Sequence, residues 1–218
     1  MPSPPTPPSK IRLAVLLSGT GRTLENLLKE SARGALAAEV AVVVSDRDDA
    51  RGLTIAAEKG IEAHVVRPKD YGFTEEFSKA VTYKIEPHGI DLVVMAGFLS
   101  LYKIPRKYER RVMNIHPALI PAFSGEGYFG QRVHEAVIAR GCRVTGCTVH
   151  FANNQYDAGP IILQEVVPVL DGDTADTLAA RVFEKECTAY PRAIQLFAEG
   201  RLAFDRSRVR IRDASTSD

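Results

Sequence analysis

With 218 residues, 45% of them apolar, the chain is long enough for one well-buried domain or at most two small ones. Its formal net charge of +1, from 28 basic and 27 acidic side chains, provides no global field for drawing in nucleic acid or an anionic membrane, so the expected partner is a small molecule. No run approaches the roughly 20 apolar residues of a membrane span, and the opening "MPSPPTPPSK" lacks the apolar core of a signal peptide, which makes the cytoplasm the expected location.

Residues 1 to 10 carry five prolines and one charged side chain, too little burial to offset the entropy of ordering, and are expected to form a disordered tail. Beyond them, short apolar runs alternate with longer amphipathic ones, the pattern of a parallel sheet covered by helices. The strand candidates are "IRLAVLLS", "EVAVVVS", "IEAHVV", "IDLVVMAG" and the shorter "RRVMNI". Between them "TLENLLKESARG", "DARGLTIAAEKG" and "TEEFSKAVTYKIEPHG" have helical spacing and end in glycine. The gap "NNQYDAG" between "RVTGCTVHFA" and "PIILQEVVPV" is too short for a crossover helix, so those two runs should pair antiparallel. A long helix follows, with Asp173 or Thr174 as N-cap and a kink expected at Pro191. The fold expected is α/β, a doubly wound, mostly parallel, Rossmann-like sheet with an antiparallel pair toward the C-terminal half and helices on both faces. The terminal "DRSRVRIRDASTSD" reads as a short edge strand with solvated arginines.

"LLSGTGRTLENLL" places Gly19 and Gly21 after the first strand and at the opening of the first helix, where backbone N–H groups can meet an anion. A dinucleotide fingerprint asks for a third glycine at position 24, where the chain has Leu24, so the loop suits one phosphate better than a pyrophosphate. Arg22 and Thr23 can donate to phosphate oxygens. A purely structural glycine turn is the competing reading, and Asp46 or Asp48 after the second strand is the alternative ribose ligand of a nicotinamide site.

"RVMNIHPALIPAF" ends an apolar run in Asn114 and His116, and Pro117 marks His116 as the last residue of that run. One residue apart on an extended chain, the two side chains share a face and can act on one atom. An imidazole needs an anion to hold its charged form at neutral pH, and Asp157 in "NNQYDAGPIILQ" is the candidate, with a plain turn aspartate as the alternative. His64, His88, His134 and His150 fall in strands or on helices with no such company. Cys142, Cys147 and Cys187 are odd in number and poorly spaced for zinc, so they read as reduced thiols, and no metal site is expected.

Asn114-Ile115-His116-Pro117, then Leu119-Ile120-Pro121, then Asp157 before Gly159-Pro160, resemble the formyltransferase group that uses 10-formyltetrahydrofolate. The loop from Ser18 to Leu24 narrows the resemblance to the phosphoribosylglycinamide formyltransferase family of purine synthesis, over residues 11 to 204. The resemblance implies one domain over 11 to 204, with a phosphate-binding half to 110 and a catalytic and folate-binding half from 111, and a tail over 205 to 218. It implies that Asn114 meets the formyl oxygen, and that His116, charged through Asp157, protonates the departing folate nitrogen. Gly21, Arg22, Thr23 and Glu186 would hold glycinamide ribonucleotide. Leu99, Ser100, Leu101 and Tyr102, with Asn114 and Asn153, Asn154, Gln155, Tyr156 and Asp157, would line the folate pocket.

The expected molecule is a monomer or homodimer acting on 10-formyltetrahydrofolate and glycinamide ribonucleotide. The glycine-rich "SGEGYFGQRVHEAV" departs from the family's usual link, and no basic residue stands near Thr74, which leaves Arg67 or Lys69 to meet the folate tail. Formyltetrahydrofolate deformylase, in which water replaces the amine, is the rival within the group, and a non-catalytic nucleotide-binding module is the rival outside it.

Overall fold

The computed structural model describes residues 10–213, so the expected tail lies outside the described residues apart from Lys10. The first apolar run forms strand β1 (Ile11–Leu17), whose side chains divide between two cores. Leu13, Val15 and Leu17 enter one core, while Ala14 and Leu16 enter the other. A strand apolar on both faces requires cover on both.

That cover comes from α1 (Arg22–Ala32), α2 (Arg51–Glu58), α3 (Thr74–Ile85), α4 (Gln131–Ala139) and α5 (Ala175–Ala198). Helix α3 seals one face with Phe77, Val81 and Ile85. The other four helices seal the opposite face, with Leu24, Leu27, Ile55, Val137 and Val182 among their contributions. The remaining strands of the main sheet are β2 (Ala38–Ser45), β3 (Glu62–Val65), β4 (Leu92–Met95), β5 (Val112–His116), β6 (Val144–Phe151) and β7 (Ile161–Pro168).

The sheet order is β3-β2-β1-β4-β5-β6-β7. Strands β1 to β5 are parallel, and β6 and β7 then run antiparallel to their neighbours, as the short connection requires. The chain leaves β1 on one side and returns to β4 on the other, which opens a ligand crevice beyond the strand ends. The two loops at this switch are knitted together: the Ser18 N–H donates to Gly97 O at 3.1 Å, and the Leu99 N–H donates to Ser18 Oγ at 2.8 Å.

Thr174, not Asp173, caps α5, through a reciprocal pair of bonds with Thr177. The helix runs on through Pro191. Proline deprives the carbonyl four residues earlier of its helical donor, and here the Asn26 side-chain amide replaces it, donating to Cys187 O at 2.9 Å.

The expected tail from residue 205 is corrected. Residues 205 to 211 belong to a hairpin of β8 (Leu202–Asp205) and β9 (Arg208–Ile211), separate from the main sheet. Its apolar side, Leu202, Phe204 and Val209, packs on the core, with the Phe204 ring 4.7 Å from that of Phe151. Arg208 and Arg210 remain exposed, as their alternation with Val209 and Ile211 predicts.

Tyr190 on α5 fixes the strand ends that carry the site. Its ring is fully buried, and its hydroxyl lies 2.8 Å from Met113 O and 3.0 Å from Met95 O, so one proton is shared between β5 and β4. Tyr190→Phe keeps the ring and strips both carbonyls of that donor. The expected cost is about 1–3 kcal/mol, or a fall in melting temperature of roughly 3–8 °C, measured by thermal unfolding.

Candidate active site

The glycine loop owes its shape to close packing. Gly21 is the N-cap of α1 in the left-handed region, with φ 74°. A Cβ there would stand 2.7 Å from Ile55 Cδ1 and 2.8 Å from Gly52 Cα, so the loop rests directly on the first turn of α2. No side chain caps α1, which leaves its first N–H groups for a ligand. Leu24 is fully buried in the core, where a third fingerprint glycine would have let helix and strand approach.

A cavity of about 440 Å³ opens over this loop and is lined by Gly21, Arg22, Thr23 and Glu186. The Arg22 guanidinium is held 3.7 Å above the centre of the Phe183 ring, a contact that aims a cation without spending its hydrogen bonds. Burial pushes the Glu186 carboxyl up to about 7 against the pull of Arg22. Phe129, His134 and Phe183 complete the wall and were not singled out from sequence as site residues. From sequence His134 read only as a residue of an amphipathic helix.

At the end of β5, Asn114 and His116 converge on Asp157 from the β6–β7 loop. Asn114 Nδ2 donates to Asp157 Oδ1 at 3.2 Å and lies 3.2 Å from His150 Nε2. His116 Nδ1 lies 3.3 Å from Asp157 Oδ2, and its Nε2 is 2.8 Å from Phe123 O. The second carboxylate oxygen also accepts the Gly125 N–H at 2.9 Å. Asp157 turns toward β5 through a left-handed backbone, φ 51°, which aspartate tolerates better than most residues.

Both His116 nitrogens therefore face acceptors, an arrangement that favours the imidazolium. Burial works against it and is the larger effect: it lowers the His116 pKa below 6.5 despite the upward pull of Asp157 and Phe123 O. Asp157 and Phe123 O favour the charged form that the sequence expectation assigns to His116, and burial of the 4% exposed ring disfavours it. Burial pushes the Asp157 carboxyl up, but the His150 ring 3.6 Å away, the His116 imidazole and the Gly125 amide together hold it below the usual range. His150, read from sequence as a plain strand residue, is thus part of this cluster.

A second cavity, of about 380 Å³, lies on the other side of Asn114 and is lined by Leu99, Ser100, Leu101, Tyr102, Asn153, Gln155, Tyr156 and Asp157. Asn154 is not brought there: its side-chain oxygen accepts the Ile104 N–H at 2.8 Å and fixes the loop. The glycine-rich segment Gly125–Gly130 forms the facing wall, which the sequence left unassigned. Asp48 is bound by Arg67 at 2.6 Å, while Asp46 accepts the Ser100 hydroxyl at 2.6 Å on one oxygen and leaves the other buried without a hydrogen-bond partner. Arg67 also pairs with Asp70 at 3.3 Å, which leaves Lys69 as the more available cation beside this groove.

The class these features define is an α/β protein with a switch-point crevice that holds a glycine loop at a helix N-terminus and an Asn–His–Asp cluster at the end of β5. The Formyl transferase family profile matches residues 11–194, and the chain belongs to that family. The trifunctional purine biosynthetic protein adenosine-3 of Gallus gallus is 43% identical over 194 residues, covering 88% of this chain and 19% of the relative. The chloroplastic phosphoribosylglycinamide formyltransferase of Vigna unguiculata is 37% identical, covering 91% of this chain and 64% of the relative. The chain thus spans less than two thirds of these relatives' lengths. The crystal structure of glycinamide ribonucleotide transformylase 1 from Symbiobacterium toebii superposes with a TM-score of 0.87 at 42% identity, covering 94% of this chain and 95% of that one.

His134 is also buried, its Nδ1 has no hydrogen-bond partner, and burial followed by the charge of His116 lowers its pKa below 6.5. For both rings the unfolded chain binds a proton that the folded chain refuses, so stability is lost as pH falls below about 6.5. Melting temperature is expected to fall between about pH 7 and 5, and His134→Gln, which removes one of the two groups, should make that fall shallower. An unchanged slope would remove His134 from the account.

Proposed function

We propose that this chain transfers the formyl group of 10-formyltetrahydrofolate to the amine of glycinamide ribonucleotide, a step of purine synthesis. The observation that carries this reading is that two cavities meet at the Asn114–His116 end of β5, sharing Gly97, Leu99, Ile115, Pro117, Phe129 and Gly130 as common walls. One has the anion loop, and the other has the apolar and amide lining suited to a pterin. A deformylase needs only water beside its folate, and a binding module has no use for the Asn–His–Asp cluster.

In this reading the first N–H groups of α1, with Gly21, Arg22 and Thr23, hold the ribonucleotide phosphate. Glu186, whose carboxyl burial pushes up to about 7, meets the ribonucleotide beside that phosphate. The folate occupies the other cavity against Leu99 to Tyr102, Asn153, Gln155 and Tyr156, and its glutamate tail extends toward Lys69.

The amine attacks the formyl carbon directly, and the carbonyl oxygen becomes an oxyanion facing the Asn114 amide, a preorganised donor worth a few kcal/mol. As the carbon–nitrogen bond forms, the amine becomes acidic and releases a proton. The His116 imidazole takes it, stabilised as an imidazolium by Asp157 and Phe123 O, and returns it to the departing folate nitrogen. The carbon–nitrogen bond to folate breaks, and formyl glycinamide ribonucleotide and tetrahydrofolate leave with no covalent enzyme intermediate and no net proton change in the site. A cytoplasmic location and a monomeric or dimeric state are parts of the same proposal.

Loss of formyl from 10-formyltetrahydrofolate, followed with and without glycinamide ribonucleotide, tests the reading. Loss that requires the amine is expected, whereas equal loss in its absence would establish a hydrolase. Asp157→Asn retains the shape and the acceptor for Gly125 but removes the charge that stabilises the imidazolium. Turnover should drop about 10²- to 10⁴-fold, with KM for either substrate changed only a few-fold.

A further inference from the structure

We propose that Glu62, His64 and His88 form a binding site for a divalent transition-metal ion of the zinc class, at the edge of the sheet remote from the candidate active site. The inference is independent of the proposed function. It begins with register. Glu62 and His64 alternate on β3 and pair with Val42 and Val44 of β2, whose side chains enter the core sealed by α3. Both ligand side chains therefore face the α3 side of the sheet. The chain leaving α3 passes through the short turn Glu86–His88 before β4, and that turn delivers His88 to the same face. Because β3 is the outermost strand, the cluster opens to solvent instead of being sealed beneath a neighbour.

The donor geometry is close to that of a chelate. His64 Nε2 lies 3.0 Å from Glu62 Oε1, His88 Nε2 lies 3.8 Å from Glu62 Oε2, and one ligand atom from each residue falls within 4.8 Å of the others. Zinc bonds of about 2.0–2.2 Å set neighbouring ligands about 3–3.5 Å apart, so small side-chain rotations bring the set into place. Two imidazole nitrogens and one carboxylate favour zinc, nickel or copper over magnesium or calcium, which demand oxygen. The histidine side chains are only 22% and 16% exposed, while Glu62 is 58% exposed, so the imidazoles are held by packing and water can complete the coordination. The nearby Arg12 does not oppose the ion with a free charge: its guanidinium donates to His88 O at 2.7 Å and pairs with Glu39. An ion here would tie the exposed edge strand to the turn ahead of β4.

Zinc chloride titrated calorimetrically into the untagged, chelator-stripped full chain is expected to bind with one equivalent and to raise the melting temperature, while magnesium does neither. Cobalt should give visible absorption at the same stoichiometry. The paired substitution His64→Ala with His88→Ala should weaken zinc binding at least roughly tenfold and abolish the thermal shift, and Glu62→Gln, a milder change, should weaken it in the same direction. Two results would overturn the proposal. One is no zinc binding by the unaltered chain at about 100 μM, well above the range of built zinc sites. The other is binding that persists undiminished in the substituted chains, which would locate the ion at His116, His150 and Asp157 instead.

Discussion

The carboxylate of Asp157 is the contact on which the candidate site depends. It joins three stretches of chain that are distant in sequence: the end of β5 through Asn114 and His116, the segment after Phe123 through the Gly125 amide, and β6 through His150. A buried carboxylate with this many partners keeps its charge where an isolated one would protonate. The same partners force a left-handed backbone at residue 157, a local strain that the surrounding contacts outweigh.

That charge decides what His116 can do. Burial lowers its pKa, yet both of its nitrogens face oxygen acceptors that favour the charged form. A permanently charged imidazole could donate but not collect, and a neutral one without Asp157 would resist the proton altogether.

The two cavities are positioned by the topology of the sheet. Return of the chain across β1 leaves the loops after β1 and β4 side by side, and Ser18 bonds them to each other. Tyr190 then ties β4 to β5 from beneath, holding the β5 end whose Ile115 belongs to the common wall. Neither cavity would be aligned with the polar cluster if α5 were free to shift, and the Thr174 cap and the Asn26 bond at Pro191 fix it at its start and along its length.

Much of this was legible in the residues. Strands buried on both faces read as unbroken apolar runs, helices read as three-to-four-residue stripes, and Asn114, His116, Asp157 and the Gly21 loop stood out because polar or glycine residues interrupt those patterns. The terminal run read as a strand with solvated arginines, but its partner β8 was missed because Leu202 and Phe204 gain their burial from Phe151, a distant partner that local composition does not reveal. His134, His150 and Gly125 carried no local signal, and Asn154 carried a misleading one, since an amide fixing a loop and an amide facing a ligand look alike in a sequence. The amino-acid order by itself determined which segments are strands and helices and which residue types are available for chemistry, because periodicity and backbone preference act over a few residues. Only the tertiary structure decided which carboxylate meets which imidazole, which way burial and charge move a ring's pKa, and that Glu62, His64 and His88 converge, because burial and charge depend on neighbours that the fold alone brings together.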